Sequence, residues 1–460
     1  MKLKKGLNKL KSIFGSRFIT DEDILVSYIN DESSIKSEVS PIGVIQPLTT
    51  EEVSSIAKIC YKYDIPYIIR GAGTGKSGGA VPTKRSIIVS LTRMDKLRII
   101  KEDMIAYAQP GVIVFNLQKE AEKYGLFYPV DPASLDISTI GGNIAENSGG
   151  PRAFKYGVTR DYILGLDVVL PDGTITRLGG ITRKNVTGYS LKDLIISSEG
   201  TLATITGAYI KLLPYPKYRI LLWAMFQNIE KSLSAINKIY TSGITPSAIE
   251  FIENKALKAV EALKKERIPN SDYPMHLLIE VDGTVIEHVE EDARFIYKII
   301  EKDCEEILIA PFSSIQKNIW EIRRIISEAT KHISFNKLSE DITLPPSKLP
   351  LFFKDLRQIE IDNGINIICY GHIGDGNIHV NILNTKDETG IIWEGTKDKI
   401  LKTIFEKAIE YNGVLSGEHG IGLTKKKYFI KYEPKINIEL HKKIKKIFDP
   451  KNLLNPDKIW

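Results

Sequence analysis

The sequence predicts an α+β fold of two main units, and three observations carry that prediction. Glycines of the first half gather in three loops set among short strands and helices. A β-α-β-β-α-β order follows the proline-containing linker Leu213-Pro214-Tyr215-Pro216. The 460 residues have globular proportions, 43% hydrophobic and 26% charged, which exclude a disordered, collagen-like or coiled-coil chain. That length fits two or three domains with large cores. No apolar stretch approaches the ~20 residues that span a bilayer, so an integral membrane protein is excluded. A net charge of +6, from 63 Lys+Arg against 57 Asp+Glu, is too mild to indicate a nucleic-acid binder. Cys60, Cys304 and Cys369 are far apart and form no Cys-x-x-Cys pair. They exclude a disulfide scaffold and an iron–sulfur cluster, which needs about four thiolates, and they fit a reducing, cytoplasmic setting.

Met1 to Gly15 is lysine-rich, with Leu3, Leu7, Leu10 and Phe14 at helical spacing. It reads either as a membrane-surface or targeting helix or as a short helix packed on the protein body. Thr49-Thr50-Glu51-Glu52 has capping-box spacing, and Val53, Ile56, Ala57 and Cys60 continue a helix to about Asp64. Strands are expected at 66–69, 87–89 and 104–108, a helix at 116–124, a hairpin over 161–176 turning at Pro171-Asp172-Gly173, and a strand over 204–213. The second unit reads strand 220–225, helix 229–240, strands 248–252 and 276–281, helix 287–300 and strand 306–309, the order of a ferredoxin-like split unit. A strand pair around 369–383, a helix near 397–411 and a basic tail close the chain. The domains expected are an N-terminal helical segment (1–40), a first domain (41–216), a ferredoxin-like substrate or cap domain (217–410) and a C-terminal segment (411–460) that returns to the first domain.

Arg70-Gly71-Ala72-Gly73-Thr74-Gly75-Lys76-Ser77-Gly78-Gly79 has five glycines in ten residues. Glycine allows positive φ and close backbone approach, so successive N–H groups can converge on a pyrophosphate. A Rossmann or P-loop reading fails, because a strand rather than a helix follows. The second loop runs from Asp131-Pro132 to Gly141-Gly142-Asn143-Ile144-Ala145-Glu146-Asn147-Ser148-Gly149-Gly150, and the third is Ser198-Glu199-Gly200-Thr201-Leu202. Ordering such loops costs conformational entropy, so together they imply a long, phosphate-containing ligand.

With Tyr156-Gly157, these three loops resemble the FAD-binding domain of the vanillyl-alcohol oxidase / PCMH superfamily over about residues 40–215. The resemblance implies that Gly71, Gly73, Thr74, Gly75, Gly78 and Gly79 hold the FAD pyrophosphate, with Arg70 also binding the cofactor. Pro132, Ser138, Gly141, Gly142, Asn143, Ala145, Asn147, Gly149, Gly150, Tyr156, Gly157, Glu199, Gly200 and Ile205 would complete the cofactor site. Relatives with covalent flavin often carry His where this chain has Thr74, so noncovalent FAD is expected.

Gly371-His372-Ile373-Gly374-Asp375-Gly376-Asn377-Ile378-His379 and Ser416-Gly417-Glu418-His419-Gly420 hold three of the seven histidines. His372 and His379 bracket a glycine turn, and with a carboxylate they would make a two-His, one-carboxylate metal site with open positions; the alternative is a set of hydrogen-bonded core histidines. These motifs, with Phe448-Asp449-Pro450 and Leu453-Leu454-Asn455-Pro456, resemble the D-2-hydroxyacid dehydrogenase branch, which holds D-lactate dehydrogenases, glycolate oxidase catalytic subunits and D-2-hydroxyglutarate dehydrogenases. The resemblance implies a divalent metal (Zn, Mn or Fe) on His372, His379 and Glu418, with His419 as the catalytic base taking the hydroxyl proton while hydride passes to flavin N5.

By the same resemblance Arg323, in Trp320-Glu321-Ile322-Arg323, would pair with the substrate carboxylate, unless it is a surface helix arginine. Ser339 stands where D-2-hydroxyglutarate dehydrogenases have lysine, although Lys337 lies close; D-lactate is therefore the default substrate, with glycolate or another short D-2-hydroxy acid as variants. Electrons would pass to a quinone, a cytochrome, an iron–sulfur subunit or an electron-transfer flavoprotein, in a homodimer or a larger complex. The Lys425–Lys427 and Lys442–Lys446 stretches would be solvated faces or would meet an acidic partner or the membrane surface. Two other readings fit the superfamily: a noncatalytic FAD-carrying subunit and a non-redox alkyl-transfer synthase.

Overall fold

The computed structural model describes residues 1–334, 336–384 and 391–460. The chain divides into two compact units, one of residues 1–149, 158–215 and 418–460, the other of residues 150–157 and 216–417.

The first unit holds a four-stranded sheet in the order Phe18–Ile19, Gly43–Ile45, Ile87–Ser90, Tyr67–Arg70, with the last three parallel. Helix Thr50–Tyr63 crosses between two of these strands. Its first turn is capped by Thr49, whose Oγ1 accepts the Glu52 N–H at 3.3 Å. The reciprocal half of the expected capping box is diverted: Glu52 instead accepts from Arg17, at 2.6 Å on each oxygen, and from the Leu48 N–H at 2.7 Å. Val53, Ile56, Ala57 and Cys60 are buried, as their spacing predicts. The N-terminal helix Lys2–Phe14 joins the same core through Leu10 and Phe14, which favours packing on the body for its apolar stripe.

A second, antiparallel sheet of this unit runs Leu97–Ile100, Ile105–Ala108, Thr204–Lys211, Ile163–Val169, Ile175–Gly179. The returning C-terminal segment pairs with the first sheet. Tyr67 N–H donates to Leu453 O and Asn455 N–H to Tyr67 O, both at 2.9 Å. The Asn455 side chain accepts from Ile69 N–H at 2.8 Å. Asp449 and Lys445 lock this return: Lys445 Nζ donates to Asp449, Thr201 O and Leu454 O at 2.7–2.8 Å, and Asp449 accepts from Leu454 N–H.

The second unit is built on a seven-stranded antiparallel sheet in the order Glu306–Ala310, Tyr218–Phe226, Met275–Gly283, Ala248–Glu253, Asn366–Gly371, Asn377–Leu383, Lys337–Thr343. The first four strands, with helices Ile229–Tyr240 and Ile286–Ile300, make the expected ferredoxin-like split unit. Helices Asn254–Lys264, Ser313–Arg324 and Ile326–His332 cover the other face, where Trp223, Ile252, Leu278, Ile319 and Tyr370 share one core.

Several sequence expectations need correction. Residues 140–146, expected as an open glycine loop, are a helix, Ile140–Glu146. Gly141 is there for close approach: a Cβ on it would lie 2.5 Å from Pro110 Cβ. The lysine stretches are not uniformly solvated, since Lys425 and Lys445 are buried. Residues 150–157 group with the second unit, because Arg152 pairs with Glu280 and Lys155 with Asp282. Helix Asn254–Lys264 and strand Lys337–Thr343 were not anticipated. The helix starts directly at a strand end without turn residues, and the strand is too polar to read as one.

Candidate functional site

In the first unit, strand Tyr67–Arg70 delivers the chain into the glycine loop. Gly73 has φ +78°, and a Cβ on it would strike the Arg70 guanidinium; a Cβ on Gly71 would strike Thr139 Oγ1. The 71–79 and 139–143 segments are thus in backbone-level contact. Around them lie buried polar atoms with no protein partner: Arg70 Nη1, Ser77 Oγ, Ser138 Oγ, Thr139 Oγ1, Asn143 Nδ2 and Ser198 Oγ. Buried polar groups in a folded protein are nearly always paired. An orphaned set concentrated in three loops therefore fits a polar ligand with many acceptors, and FAD has the length and the phosphates to meet it. Burial lowers the Arg70 pKa, partly countered by the negative charge of Asp31, so this cation gains from an anionic partner.

Other residues of the loops turn out to act within the protein. Glu199 is buried, and its carboxylate accepts the N–H groups of Ile421 and Gly422 at 2.8 and 2.7 Å; burial raises its pKa despite those bonds. Its side chain thus holds the segment after His419 rather than standing open to a cofactor. Asn147, at φ 58°, accepts from Arg160 N–H at 2.8 Å and ends the Ile140–Glu146 helix. Tyr156 sets its hydroxyl against both oxygens of Asp282, at 2.9 and 2.8 Å, in the second unit. Lys458, which sequence reasoning missed, donates to Gly78 O at 2.6 Å and to Val81 O; burial lowers its pKa to about 8. Nothing in its sequence neighbourhood marks it out.

In the second unit, His372 directly follows strand Asn366–Gly371 and His379 lies on strand Asn377–Leu383, on either side of the glycine turn. Gly376 sits there at φ +78°, and a Cβ would strike Leu344 O. Both histidines are largely buried, with ring centroids 5.2 Å apart, edge to face. Asp341, fully buried and in register opposite His379, accepts from Ser416 Oγ at 3.0 Å and from Gly417 N–H at 2.8 Å. A Cβ on Gly417 would strike Asn377 and Thr343, so only glycine passes here. Glu418 is the next residue, where the chain leaves this unit. Its carboxylate and one ring nitrogen from each of His372 and His379 lie within 4.8 Å of one another. Two imidazoles and a carboxylate at that spacing suit a divalent transition metal. His419 follows, its Nε2 3.6 Å from Glu418 Oε1.

Arg323 is buried rather than on a surface. Its Nε donates to Glu250 Oε2 at 2.6 Å, and Nη2 lies equally close to the same oxygen without hydrogen-bond alignment. Its guanidinium lies over Tyr370 at 4.7 Å. Glu250 was not anticipated, since nothing in its sequence neighbourhood marks it out.

These two units together define a class: an α+β flavoprotein with a PCMH-type FAD-binding fold. The family of FAD-linked oxidases, described by its C-terminal domain, matches residues 215–459, and the FAD binding domain family matches residues 41–179. The chain belongs to the FAD-linked oxidases. It is 39% identical to the glycolate oxidase subunit GlcD of Bacillus subtilis (strain 168), over 91% of this chain and 89% of that protein. It is 33% identical to a D-lactate dehydrogenase of Anaerostipes hadrus, over 98% of this chain and 96% of that one. Among solved structures it shares its fold with p-cresol methylhydroxylase, at a TM-score of 0.81 and 16% identity over 99% of this chain and 96% of that one.

Proposed function

We propose that this protein oxidises a short D-2-hydroxy acid, D-lactate before glycolate, to the 2-oxo acid. The observation that carries the proposal is the convergence of His372, His379 and Glu418 next to His419, in a chain similar over most of its length to a D-lactate dehydrogenase and a glycolate oxidase subunit. FAD, when bound, supplies the acceptor for the substrate's hydride, and a divalent metal on the three donors supplies Lewis acidity at the hydroxyl. His419 takes the hydroxyl proton on Nε2, the nitrogen turned toward Glu418; imidazole suits that task because its ordinary pKa is about 6.5. Arg323 binds the substrate carboxylate through paired N–H donors. The loop at 71–79 binds the pyrophosphate of a noncovalent flavin.

Electrons leave to an external acceptor. Cys60, Cys304 and Cys369 are all free thiols, fewer than the roughly four thiolates that an iron–sulfur cluster ordinarily takes. No described helix is long and apolar enough to cross a membrane. Glu418 as a third metal donor favours the dehydrogenase over the alkyl-transfer reading, and the presence of the whole donor set favours it over a noncatalytic subunit.

The test is anaerobic mixing of the flavin-loaded protein with D-lactate and, separately, L-lactate. Bleaching of the flavin absorbance by the D isomer alone is expected. A protein that stays yellow with D-lactate, glycolate and D-2-hydroxyglutarate would refute the proposal.

A further inference from the structure

Glu250, buried on strand Ala248–Glu253 and outside the residues assigned so far, closes a ring of side chains. Its Oε1 meets His372 Nδ1 at 2.6 Å and its Oε2 meets Arg323 Nε at 2.6 Å. Arg323 lies on Tyr370 at 4.7 Å, the Tyr370 ring is 5.2 Å from His379, and His379 is 5.2 Å from His372. One carboxylate thus touches both a metal-donor histidine and the arginine assigned to the substrate carboxylate.

We propose that Glu250 is a positioning residue that fixes His372 as an Nε2 metal donor and sets its spacing from Arg323, so that the site accepts a hydroxyl and a carboxylate on adjacent carbons. The inference rests on the metal and arginine roles proposed above. An ionised carboxylate only accepts, so His372 carries its proton on Nδ1 and presents the Nε2 lone pair. With Glu250 along the Nε–Nη2 side, the Nη1–Nη2 edge of Arg323 is the one that meets a carboxylate squarely. Glutamine cannot fill this place. It has one acceptor oxygen for two donors, and its NH2 group would face either the His372 or the Arg323 N–H.

The test uses Glu250→Gln and Glu250→Asp in the full, FAD-loaded protein. Zn²⁺ is titrated calorimetrically into chelator-stripped protein, and kcat and KM are measured with D-lactate and with the isomers D-2-hydroxybutyrate and D-3-hydroxybutyrate. For Glu250→Gln we expect Zn²⁺ affinity to fall about 10–100-fold, as for other second-sphere partners of histidine ligands. KM for D-lactate should rise more than kcat falls, and the preference for the 2-hydroxy isomer should shrink. Glu250→Asp should recover part of the Zn²⁺ affinity, because it restores the charge.

Zn²⁺ affinity and isomer preference within twofold of wild type in the glutamine variant, with only the melting temperature lowered, would overturn the inference. If that variant does not fold, the same criterion is applied to Glu250→Asp. Failure of the underlying reading shows without touching Glu250: wild type and His372→Ala would bind Zn²⁺ alike, and this inference would fall with it.

Discussion

At the scale of single residues, the buried carboxylates show how neighbours decide charge. Glu199, Glu250, Glu253 and Glu280 are all nearly sealed from water, and burial alone would raise each pKa. Glu250 beside Arg323 and His372, and Glu280 beside Arg152 and Arg219, are nevertheless held below the usual carboxylate range. Glu199 has two backbone N–H groups and only more distant lysines, and Glu253 shares Arg357 with Glu360; both stay raised. His276 is the opposite case of a base kept neutral. Its Nδ1 accepts from Trp223 Nε1 at 3.1 Å, so its Nε2 donates to Tyr273 O at 2.9 Å, and burial pulls its pKa down to about 4. Unfolded, it takes up a proton near pH 6.5. Between pH 6.5 and 4 the unfolded chain binds the extra proton, so this residue withdraws about 3 kcal/mol of stability as the pH falls through that window. His276→Gln keeps an acceptor and a donor but does not titrate. Denaturant titrations at pH 7 and pH 4 should show the variant losing less stability than wild type by roughly that amount; parallel losses would refute the assignment. None of this was legible in the sequence, where Glu250 and His276 are unremarkable polar residues inside strands. The histidines and glutamate that were legible sit among glycines, and glycine marks places where the backbone has little freedom to vary.

At the scale of elements, periodic helices such as Thr50–Tyr63 and Ile286–Ile300 were legible because one face is apolar, whereas strand Lys337–Thr343 was hidden by its polar residues. Its sequence Lys-Leu-Ser-Glu-Asp-Ile-Thr gives no apolar alternation, because Ser339 and Asp341 point to the face that carries His379 and Asn381. The strand fixes the 416–418 segment through Asp341, which takes Ser416 Oγ and Gly417 N–H. Hydrogen bonds to a charged acceptor contribute about 1.5–3 kcal/mol each, enough to hold a short glycine-containing segment in one conformation. Asp341→Ala should therefore release Glu418 without removing any proposed donor. The expected result is a protein that keeps its flavin, binds Zn²⁺ at least about tenfold more weakly, and loses turnover in proportion. A variant that binds metal as tightly as wild type would show that the segment is held by other contacts. The same reasoning explains why the glycines of 141–142 misled: two glycines before Asn143 read as a loop, yet they lie in a helix whose Gly141 is pressed against Pro110.

At the scale of the whole molecule, neither unit is a continuous stretch of chain. The first is assembled from residues 1–149, 158–215 and 418–460, so its last segment is part of its architecture. The C-terminal return expected from residue 411 has physical reasons that span 256 residues or more and leave no local pattern. Asn455 bonds Ile69, Tyr67 and Glu199, and Lys458 bonds the carbonyls of Gly78 and Val81 beside the proposed pyrophosphate loop. At about 1 kcal/mol for each bond, the five are worth about 5 kcal/mol, comparable with the whole stability of a domain. Ending the chain after Leu454 should accordingly disable the first unit while sparing the second, whose sheet is made entirely of residues before 384. In calorimetry one transition should move down or disappear while another persists, and gel filtration should separate the truncated protein from its flavin. If the truncated chain stays yellow at full occupancy and melts as wild type does, the last six residues are ornament to the flavin site rather than part of it. The bonds of Asn455 and Lys458 would then be replaceable by water.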